Sequence, residues 1–371
     1  MKKILLVSMG EEFGGIEKLE LDYLKNLNSK YKIDFLTPND NPFKKFKKVI
    51  KQNGGKIYNF NVSRKKYIGR IKYFFNLFIF LKKNKYDIVH INSSVFLFSF
   101  QVVLVTKLCG VKKIIVHSHS TPKNNIFKKI IIYLLNPVYR FMINHYISCS
   151  KKACYSLFTK RFVSKNKILI LKNGIDVEMF KYNKSIRKKI RDNLDIDNKV
   201  VYGNVGRLSY EKNHDFLIDI FYEIQKTNKD SVLLLIGDGI LKEKINDKVK
   251  RLKLDKKVIF LDFKDDVYNY YNCMDLYIVP SLSEGFGITS IEAQTNGLIT
   301  YCSMEVPEEV NISSNIRFFN LDIKAKELAD SILKEKKLLN GREKAFINTI
   351  NSQYDIKNIC NVLDSIYSSN N

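Results

Sequence analysis

The stretch LYIVPSLSEGFGITSIEA, residues 276–293, joins a short apolar run to a helical pattern through a turn that contains Gly285 and Gly287. Residues 276–279 are apolar, and the run is as short as a buried strand. The apolar spacing that follows Gly287 is typical of a helix. A strand followed by a helix is the unit from which parallel sheets covered by helices on both faces are built. We therefore expect this unit to recur along the chain.

Short apolar runs alternate with amphipathic helical stretches on both sides of this motif. The predicted strands are residues 4–7, 33–36, 56–59, 88–91, 113–117, 146–148, 168–171, 200–205, 232–236, 258–261, 276–279 and 298–301. Regular alternation of strands and helices predicts an α/β fold with parallel, doubly wound sheets. The length of 371 residues fits two domains of this kind.

The alternation stops at the turn-forming pair Asn173-Gly174, and a polar stretch follows up to residue 199. We expect a first Rossmann-like domain over residues 1–172, a linker region over 173–199 and a second Rossmann-like domain over 200–350. A C-terminal helix over 351–371 is expected to return towards the first domain.

The composition excludes several classes of protein. Hydrophobic residues make up 45% of the chain, with 25 Phe and 21 Tyr, which excludes intrinsic disorder. The six cysteines lack the spacing of a metal site or a disulfide framework, so neither is expected. The apolar run 4–7 is too short for a signal peptide. We expect the protein to stay in the cytoplasm.

The positive charge is concentrated in one part of the sequence. Residues 41–175 contain 28 Lys and Arg against one acidic residue, Asp87, although the formal net charge of the whole chain is +25. Cations alternate with apolar side chains near residues 43–48, 64–67 and 70–81, a pattern typical of helices that lie in a membrane interface. The apolar runs are too short to cross a bilayer. We predict peripheral association with the inner face of the plasma membrane.

Two other interpretations of this charge stay open at this stage. A solvated basic surface without a partner is a common origin of such runs. Nucleic acid is another anionic partner, but no sequence signature of a nucleic-acid-binding module is present. We therefore expect no nucleic acid.

Three turns that leave predicted strands carry groups able to bind an anion or a sugar. After strand 4–7, Gly14 and Gly15 open a helix whose free N–H groups can face an anionic oxygen. After strand 200–205, Arg207 and Lys212 precede a helix, a combination suited to a diphosphate. After strand 276–279, Glu284 and Glu292 flank a Gly-x-Gly turn, and carboxylates accept hydrogen bonds from vicinal hydroxyls. Together these turns predict a sugar-nucleotide site.

The chain resembles the retaining glycosyltransferases of family 4, in particular the bacterial exopolysaccharide and capsule members. The resemblance covers most of the chain in the family's order. It is carried by GGIE (14–17), YDIVH (86–90), HSHST (117–121), NGID (173–176), GRLSYEKN (206–213), LLIGDG (234–239) and EGFGITSIE (284–292). The resemblance implies the GT-B architecture of two facing Rossmann-like domains with a cleft between them.

The family's site residues transfer onto matching positions of this sequence. The resemblance implies that Arg207 and Lys212 hold the donor diphosphate, that Glu284 contacts the donor sugar and that Glu292 binds the ribose hydroxyls. It also implies that Gly15 approaches the donor, that His119 lies near the transferred sugar, and that no metal and no cofactor are required. The remaining expected positions are the donor-site residues Gly285, Phe286, Gly287 and Ile288, and the acceptor-side residues His90, Asn92 and His117.

The expected reaction is transfer of a hexose or N-acetylhexosamine from a UDP-linked donor to a lipid-linked saccharide, with retention of anomeric configuration. His117 rivals His119, since residues two apart on a strand share a face. A sugar-nucleotide 2-epimerase of similar fold and a non-catalytic membrane-binding protein are the alternative functions.

Overall fold

The structure is a computed structural model that describes residues 1–8, 14–39, 43–61, 67–119, 126–165, 168–335, 342–350 and 353–369. The chain forms two compact units. Unit 1 contains Met1–Gly174 and Ile356–Asn371, and unit 2 contains Ile175–Asp355. The prediction of two Rossmann-like domains is confirmed, because each unit is built on a parallel sheet covered by helices.

Unit 1 is built on a seven-stranded parallel sheet with the order β3-β2-β1-β4-β5-β6-β7. Its strands are β1 (Lys2–Val7), β2 (Tyr31–Thr37), β3 (Ile57–Asn59), β4 (Ile88–Ser93), β5 (Lys113–Ser118), β6 (His145–Ser148) and β7 (Leu169–Ile170). Its helices are α1 (Gly15–Leu27), α2 (Lys47–Gln52), α3 (Tyr67–Asn84), α4 (Phe96–Leu108), α5 (Ile126–Phe141), α6 (Lys151–Cys154), α7 (Lys160–Val163) and the C-terminal helix, which is numbered last.

Unit 2 is built on a six-stranded parallel sheet with the order β10-β9-β8-β11-β12-β13. Its strands are β8 (Val200–Val205), β9 (Ser231–Ile236), β10 (Val258–Leu261), β11 (Leu276–Val279), β12 (Ile299–Ser303) and β13 (Ile316–Phe319). Its helices are α8 (Lys184–Leu194), α9 (His214–Thr227), α10 (Lys242–Arg251), α11 (Val267–Tyr271), α12 (Ile288–Thr295), α13 (Ala325–Leu333) and α14 (Arg342–Ile350). The C-terminal helix of unit 1 is α15 (Ile356–Ser368).

Each sheet is apolar on both faces, as a parallel sheet between two helical layers must be. In β1, Ile4 and Leu6 pack with α1 and α15, whereas Leu5 and Val7 pack with α3, α4 and α5. The alternation follows from the two-residue repeat of a strand. In unit 2, the same alternation divides the sheet's side chains between two apolar clusters, one on each face.

The structure differs from the sequence-based expectation in three places. The stretch 173–199 is not a free linker, since residues from Ile175 onward belong to unit 2 and include the helix α8. A thirteenth strand, β13, completes the second sheet beside β12. The C-terminal helix, predicted over 351–371, extends only from Ile356 to Ser368 within the described residues, although it packs on α1 in unit 1, the domain to which the sequence predicts its return.

Candidate functional site

The turns predicted to bind a sugar nucleotide leave neighbouring strands of unit 2. Strands β8 and β11 pair in parallel, and the chain order of the sheet reverses direction between them. In an open α/β sheet, this switch point leaves a crevice outside the carboxyl ends of the two strands, where ligands bind. The loop with Arg207 and Lys212 follows β8, and the loop with Glu284 follows β11. Topology therefore brings both loops to one crevice.

Direct contacts hold these two loops together. The backbone N–H of Leu282 donates to the backbone oxygen of Glu211 over 2.8 Å. The side-chain amide of Asn213 donates to the backbone oxygen of Pro280 over 3.1 Å. Asn213 has a left-handed φ of 54° and immediately precedes α9, so the chain turns sharply just after Lys212. Two hydrogen bonds thus join the two loops.

Lys212 and Glu284 form an ion pair across the loops. The Nζ atom of Lys212 lies 2.6 Å from Oε1 of Glu284, and Ser281 Oγ donates to the same oxygen over 2.8 Å. The Lys212 side chain is 25% exposed and that of Glu284 is 8% exposed. A lysine ammonium has three N–H donors, so this contact leaves Lys212 able to donate to a further anionic oxygen. Arg207 lies exposed in the same loop.

Glycine is required where the loops approach other backbone. Gly237 follows β9 with a φ of +144°, and a Cβ there would lie 2.0 Å from the backbone oxygen of Gly206. Gly287 has a φ of +80° and immediately precedes α12, and its Cβ would lie 2.9 Å from Val306 Cγ1. The turn before α12 also contains the partly buried Gly285 and the buried Phe286, and Ile288 is the first residue of the helix.

Glu292 is buried on α12, where its Oε2 atom accepts a hydrogen bond of 2.7 Å from the hydroxyl of Tyr271. Tyr277 lies beside Tyr271, with 5.5 Å between the ring centroids. Its hydroxyl accepts from the backbone N–H of Val205 over 3.0 Å and donates to the backbone oxygen of Val205 over 3.1 Å. The two tyrosines thus contact both Glu292 and the last residue of β8.

In unit 1, the turn after β1 leads into α1 at Gly15, which is exposed. Residues 9–13 of the predicted turn lie outside the described residues, as do Ser120 and Thr121 of the HSHST motif. Two acidic side chains of α1, Glu17 and Glu20, are buried. Ser8 Oγ donates to Glu17 over 3.0 Å.

His117 and His119 lie side by side at the end of β5, with 3.9 Å between their ring centroids. His117 is on the strand, whereas His119 follows its last residue. Burial lowers the pKa of His119 to about 4, against a smaller opposing effect of the Asn173 side chain. Burial also lowers the pKa of His117 far below its ordinary value, with a further contribution from His119. Both imidazoles are therefore neutral near pH 7.

The expected acceptor-side residues form part of a buried network in unit 1. The Oδ1 atom of Asn92 lies 2.9 Å from His119 Nε2, and its Nδ2 donates to Glu20 Oε1 over 2.5 Å. Because Nδ2 is the donor to Glu20, Oδ1 is the acceptor, and His119 carries its proton on Nε2. His90 Nδ1 lies 2.7 Å from the hydroxyl of Tyr367 on α15. His90 and His117 are fully buried.

Sequence reasoning missed Glu20, Tyr271 and Ser281, which contact the predicted residues. Ser281 lies inside the quoted motif, three residues before Glu284. Glu20 follows Glu17 by three positions, so a helical projection of α1 places both on one face. Tyr271 carries no such signal, because its contact with Glu292 depends on how α11 packs against its neighbours.

Three helices of unit 1 expose apolar side chains. Helix α4 packs against both α3 and α5. The exposed side chains include Phe75 (63%), Leu108 (63%), Tyr133 (72%), Leu134 (66%) and Phe141 (87%). Nearby exposed cations on these helices are Arg70, Lys72, Lys82, Lys83, Lys107 and Lys129. Among the described residues, no helix combines the length and apolarity needed to cross a bilayer.

One part of the expected interfacial pattern is wrong. Phe43 is fully buried, and its ring packs 4.9 Å from that of Phe35, because the turn before α2 folds this ring onto β2. The lysines at 44, 45, 47 and 48 remain exposed. The surface of this segment thus contains the four lysines but not the Phe43 ring. Residues 64–66 of the second basic cluster lie outside the described residues.

The side chains that could bind a metal ion are those of His, Cys, Asp and Glu. Within the described ranges, no group of three or more His, Cys, Asp or Glu side chains is arranged to hold a metal ion. The six cysteines are free thiols.

Two protein-family models match the chain over most of its length. The model described as Glycosyltransferase Family 4 matches residues 13–179, and the model described as Glycosyl transferases group 1 matches residues 186–346. The chain belongs to glycosyltransferase family 4. The resemblance carried by the seven sequence motifs is confirmed.

Curated relatives of this family 4 glycosyltransferase extend over much of its length. The Bacillus subtilis protein EpsF, named as a glycosyltransferase, is 27% identical over 319 residues, which cover 84% of this chain and 81% of EpsF. An Escherichia coli UDP-Gal:alpha-D-GlcNAc-diphosphoundecaprenol alpha-1,3-galactosyltransferase is 29% identical over 243 residues, which cover 62% of this chain and 60% of the relative.

A solved structure of another protein has a fold similar to that of this family 4 glycosyltransferase. Anabaena HepE in complex with UDP and glucose matches with a TM-score of 0.80 and 18% identity, over 99% of this chain and 100% of HepE. The GT-B fold class predicted from the sequence is confirmed.

Proposed function

We propose that this glycosyltransferase moves a hexose or N-acetylhexosamine from a UDP-sugar to a hydroxyl of a lipid-linked saccharide, with retention of anomeric configuration. The product would extend an exopolysaccharide or capsule chain at the inner face of the plasma membrane. The observation that carries the proposal is the ion pair of Lys212 and Glu284 at the switch point between β8 and β11. The E. coli relative's named UDP-Gal donor and diphosphoundecaprenol acceptor support the substrate classes.

In the proposed donor complex, Arg207 and Lys212 bind the diphosphate. Arg207 offers a planar set of N–H donors, and Lys212 has N–H groups beyond the one that contacts Glu284. Glu284, held by Lys212 and Ser281, accepts hydrogen bonds from hydroxyls of the donor sugar. The backbone of Gly287 and Ile288 at the start of α12 lies near the phosphates, beside Gly285 and Phe286.

The chemical step of the proposal depends on charge. As the glycosidic bond breaks, negative charge develops on the UDP leaving group and positive charge on the sugar. The two cations and the helix N-terminus stabilise the leaving group, while the Glu284 carboxylate stands beside the sugar. These groups supply the role that a metal ion plays elsewhere, so we propose a reaction without metal or other cofactor.

Unit 1 supplies the remaining groups in this proposal. Gly15 leaves room for the donor at the start of α1, since a Cβ there would meet nothing within 4 Å. His119 is neutral and contacts a sugar hydroxyl, while Asn92 fixes its ring. We propose His90, Asn92 and His117 as the acceptor-side residues of this unit.

We also propose that unit 1 binds the membrane that contains the acceptor. The exposed apolar side chains of α3, α4 and α5, with cations on the same helices, suit an anionic bilayer surface. The strong excess of cations over residues 41–175 supports the same partner.

A transfer assay tests the proposed reaction. The protein is incubated with each of a panel of UDP-sugars and a synthetic polyprenyl-diphosphate-linked saccharide. We expect one UDP-sugar to give an extended product whose new bond has the donor's anomeric configuration, as measured by NMR coupling constants. Glu284→Gln should lose transfer, and Lys226→Gln, which alters an exposed cation on α9, should retain it. The proposal would be contradicted if the protein epimerised a UDP-sugar without transferring it. It would also be contradicted if the protein bound vesicles without UDP and transferred no sugar.

A further inference from the structure

A buried hydrogen bond joins Tyr271 on α11 to Glu292 on α12. The hydroxyl of Tyr271 donates to Glu292 Oε2 over 2.7 Å, and both residues are almost fully buried. A phenol that donates to one carboxylate oxygen restricts the rotation of that carboxylate. The hydrogen bond from Tyr271 therefore helps to fix the orientation of the Glu292 side chain.

Tyr271 is itself held firmly. Its ring packs edge-on against Phe180, with 5.6 Å between the centroids, and beside Tyr277. The buried guanidinium of Arg342 donates to the backbone oxygen of Tyr271 over 3.0 Å. With the ring and the backbone both fixed, the hydroxyl cannot follow a carboxylate that moves away.

The Tyr271 hydroxyl stays protonated, so it can always donate a hydrogen bond to Glu292. Burial, followed by the nearby Glu292 carboxylate, raises the pKa of Tyr271 well above its ordinary value. The hydroxyl consequently keeps its proton throughout the neutral pH range, and the hydrogen bond to Glu292 persists there.

We propose that Tyr271 is a positioning residue that orients the Glu292 carboxylate towards the ribose hydroxyls of the donor nucleotide. This inference rests on the proposed function, in which Glu292 binds the ribose. Tyr271 itself does not touch the nucleotide, since its hydroxyl is directed at Glu292. Its removal should therefore weaken only those contacts that Glu292 makes.

Calorimetric titration with two nucleotides separates this role from a structural one. UDP carries both ribose hydroxyls, and 2′,3′-dideoxyuridine diphosphate carries neither. Tyr271→Phe removes only the hydroxyl, and we expect it to weaken UDP binding about 2- to 12-fold, because a less firmly oriented Glu292 keeps only part of its hydrogen bonding to the ribose. Binding of the dideoxy nucleotide should not change. Tyr270→Phe, on the same helix, should leave both affinities unchanged.

The experiment distinguishes failure of the proposed Glu292–ribose contact from failure of the proposed role of Tyr271. If the wild-type protein binds UDP no better than the dideoxy nucleotide, the proposed ribose contact of Glu292 is wrong, and this inference falls with it. If the wild type discriminates and Tyr271→Phe discriminates equally well, or loses both affinities equally, only the inference is overturned. In a crystal structure of the wild type with UDP, the Tyr271–Glu292 bond should persist while Glu292 contacts the ribose. Separation of the two side chains would also overturn it.

Discussion

Lys212 and Glu284 lie 72 positions apart in the sequence, and their charged groups meet at 2.6 Å. The pair joins the loop that follows β8 to the loop that follows β11, at the point where the sheet order reverses. Neither residue is fully exposed, so each depends on the other for compensation of its charge. The pair is thus both a structural link and the centre of the proposed donor site.

Removal of one partner should therefore destabilise the protein. Lys212→Met leaves the Glu284 carboxylate without its cation, and we expect unfolding free energy to fall by about 1 to 3 kcal/mol. The double variant Lys212→Met with Glu284→Gln should lose less than the sum of the two single variants, because no uncompensated charge remains. Urea unfolding of all four proteins measures the coupling. Strictly additive losses would mean that the ion pair does not form in solution.

The left-handed backbone at the start of α12 should exclude other residues. Gly287→Ala places a Cβ at a φ of +80° and 2.9 Å from Val306 Cγ1. We expect a loss of about 1 to 2 kcal/mol from the backbone conformation alone. Gly15→Ala is the matched control, since its Cβ would meet nothing within 4 Å. Urea unfolding should show a destabilised Gly287→Ala and an unaffected Gly15→Ala. A fully stable Gly287→Ala would contradict the described turn.

Buried histidines should make the protein less stable in mild acid. Burial, with the nearby Lys212, lowers the pKa of His214 to about 4, below its ordinary value of 6.5. Between these values the unfolded chain binds the proton and the folded chain does not, so stability falls as the pH falls. His214→Gln should reduce the loss between pH 7 and pH 5 by roughly 1 to 2 kcal/mol.

Urea unfolding at pH 7 and pH 5, monitored by circular dichroism, checks this expectation. His145 is less buried than His214, so His145→Gln should change the loss of stability between pH 7 and pH 5 by less than His214→Gln does. Equal pH dependence in the wild type and His214→Gln would show that His214 is protonated alike in the folded and unfolded states.

Membrane binding should depend on both charge and apolar contact. Replacement of the lysines at 44, 45, 47 and 48 by glutamine should weaken binding to anionic vesicles, and the difference from wild type should shrink at high salt. Replacement of Leu134 and Phe141 by serine should weaken binding at every salt concentration, since it removes apolar insertion. Vesicle co-sedimentation measures both effects, with UDP affinity as the control. Unchanged co-sedimentation of both variants would contradict the interfacial role of unit 1.

The fold could be predicted from the sequence because each strand is a short apolar run followed by a helix with its own repeat. The twelve predicted runs correspond to strands in the structure: the runs 200–205, 258–261 and 276–279 have the observed bounds, and the ends of the others shift by at most two residues. The strand β13 was missed because its sequence IRFF is short and carries Arg317. Helix α8 lies in the predicted linker region because its sequence is polar, yet buried Arg191 anchors it to Asp275 over 2.6 Å.

The site was predictable only where its residues follow strand ends. The pairing of Lys212 with Glu284 follows from the parallel sheet, which brings the carboxyl ends of β8 and β11 to one edge. The contacts of Tyr271 with Glu292 and of Glu20 with Asn92 join side chains from separate elements. Their meeting depends on how helices pack, which residue spacing along one element does not determine.

The central claim is that the loops after β8 and β11 bind one nucleoside diphosphate through Arg207 and Lys212. Calorimetric titration of UDP into the wild type and into Arg207→Ala with Lys212→Ala tests it most directly. Two charge-assisted contacts of about 1.5 to 3 kcal/mol each should be lost, so affinity should fall at least about 100-fold. Lys226→Ala should bind UDP like the wild type. An unchanged UDP affinity in the double variant would contradict the claim.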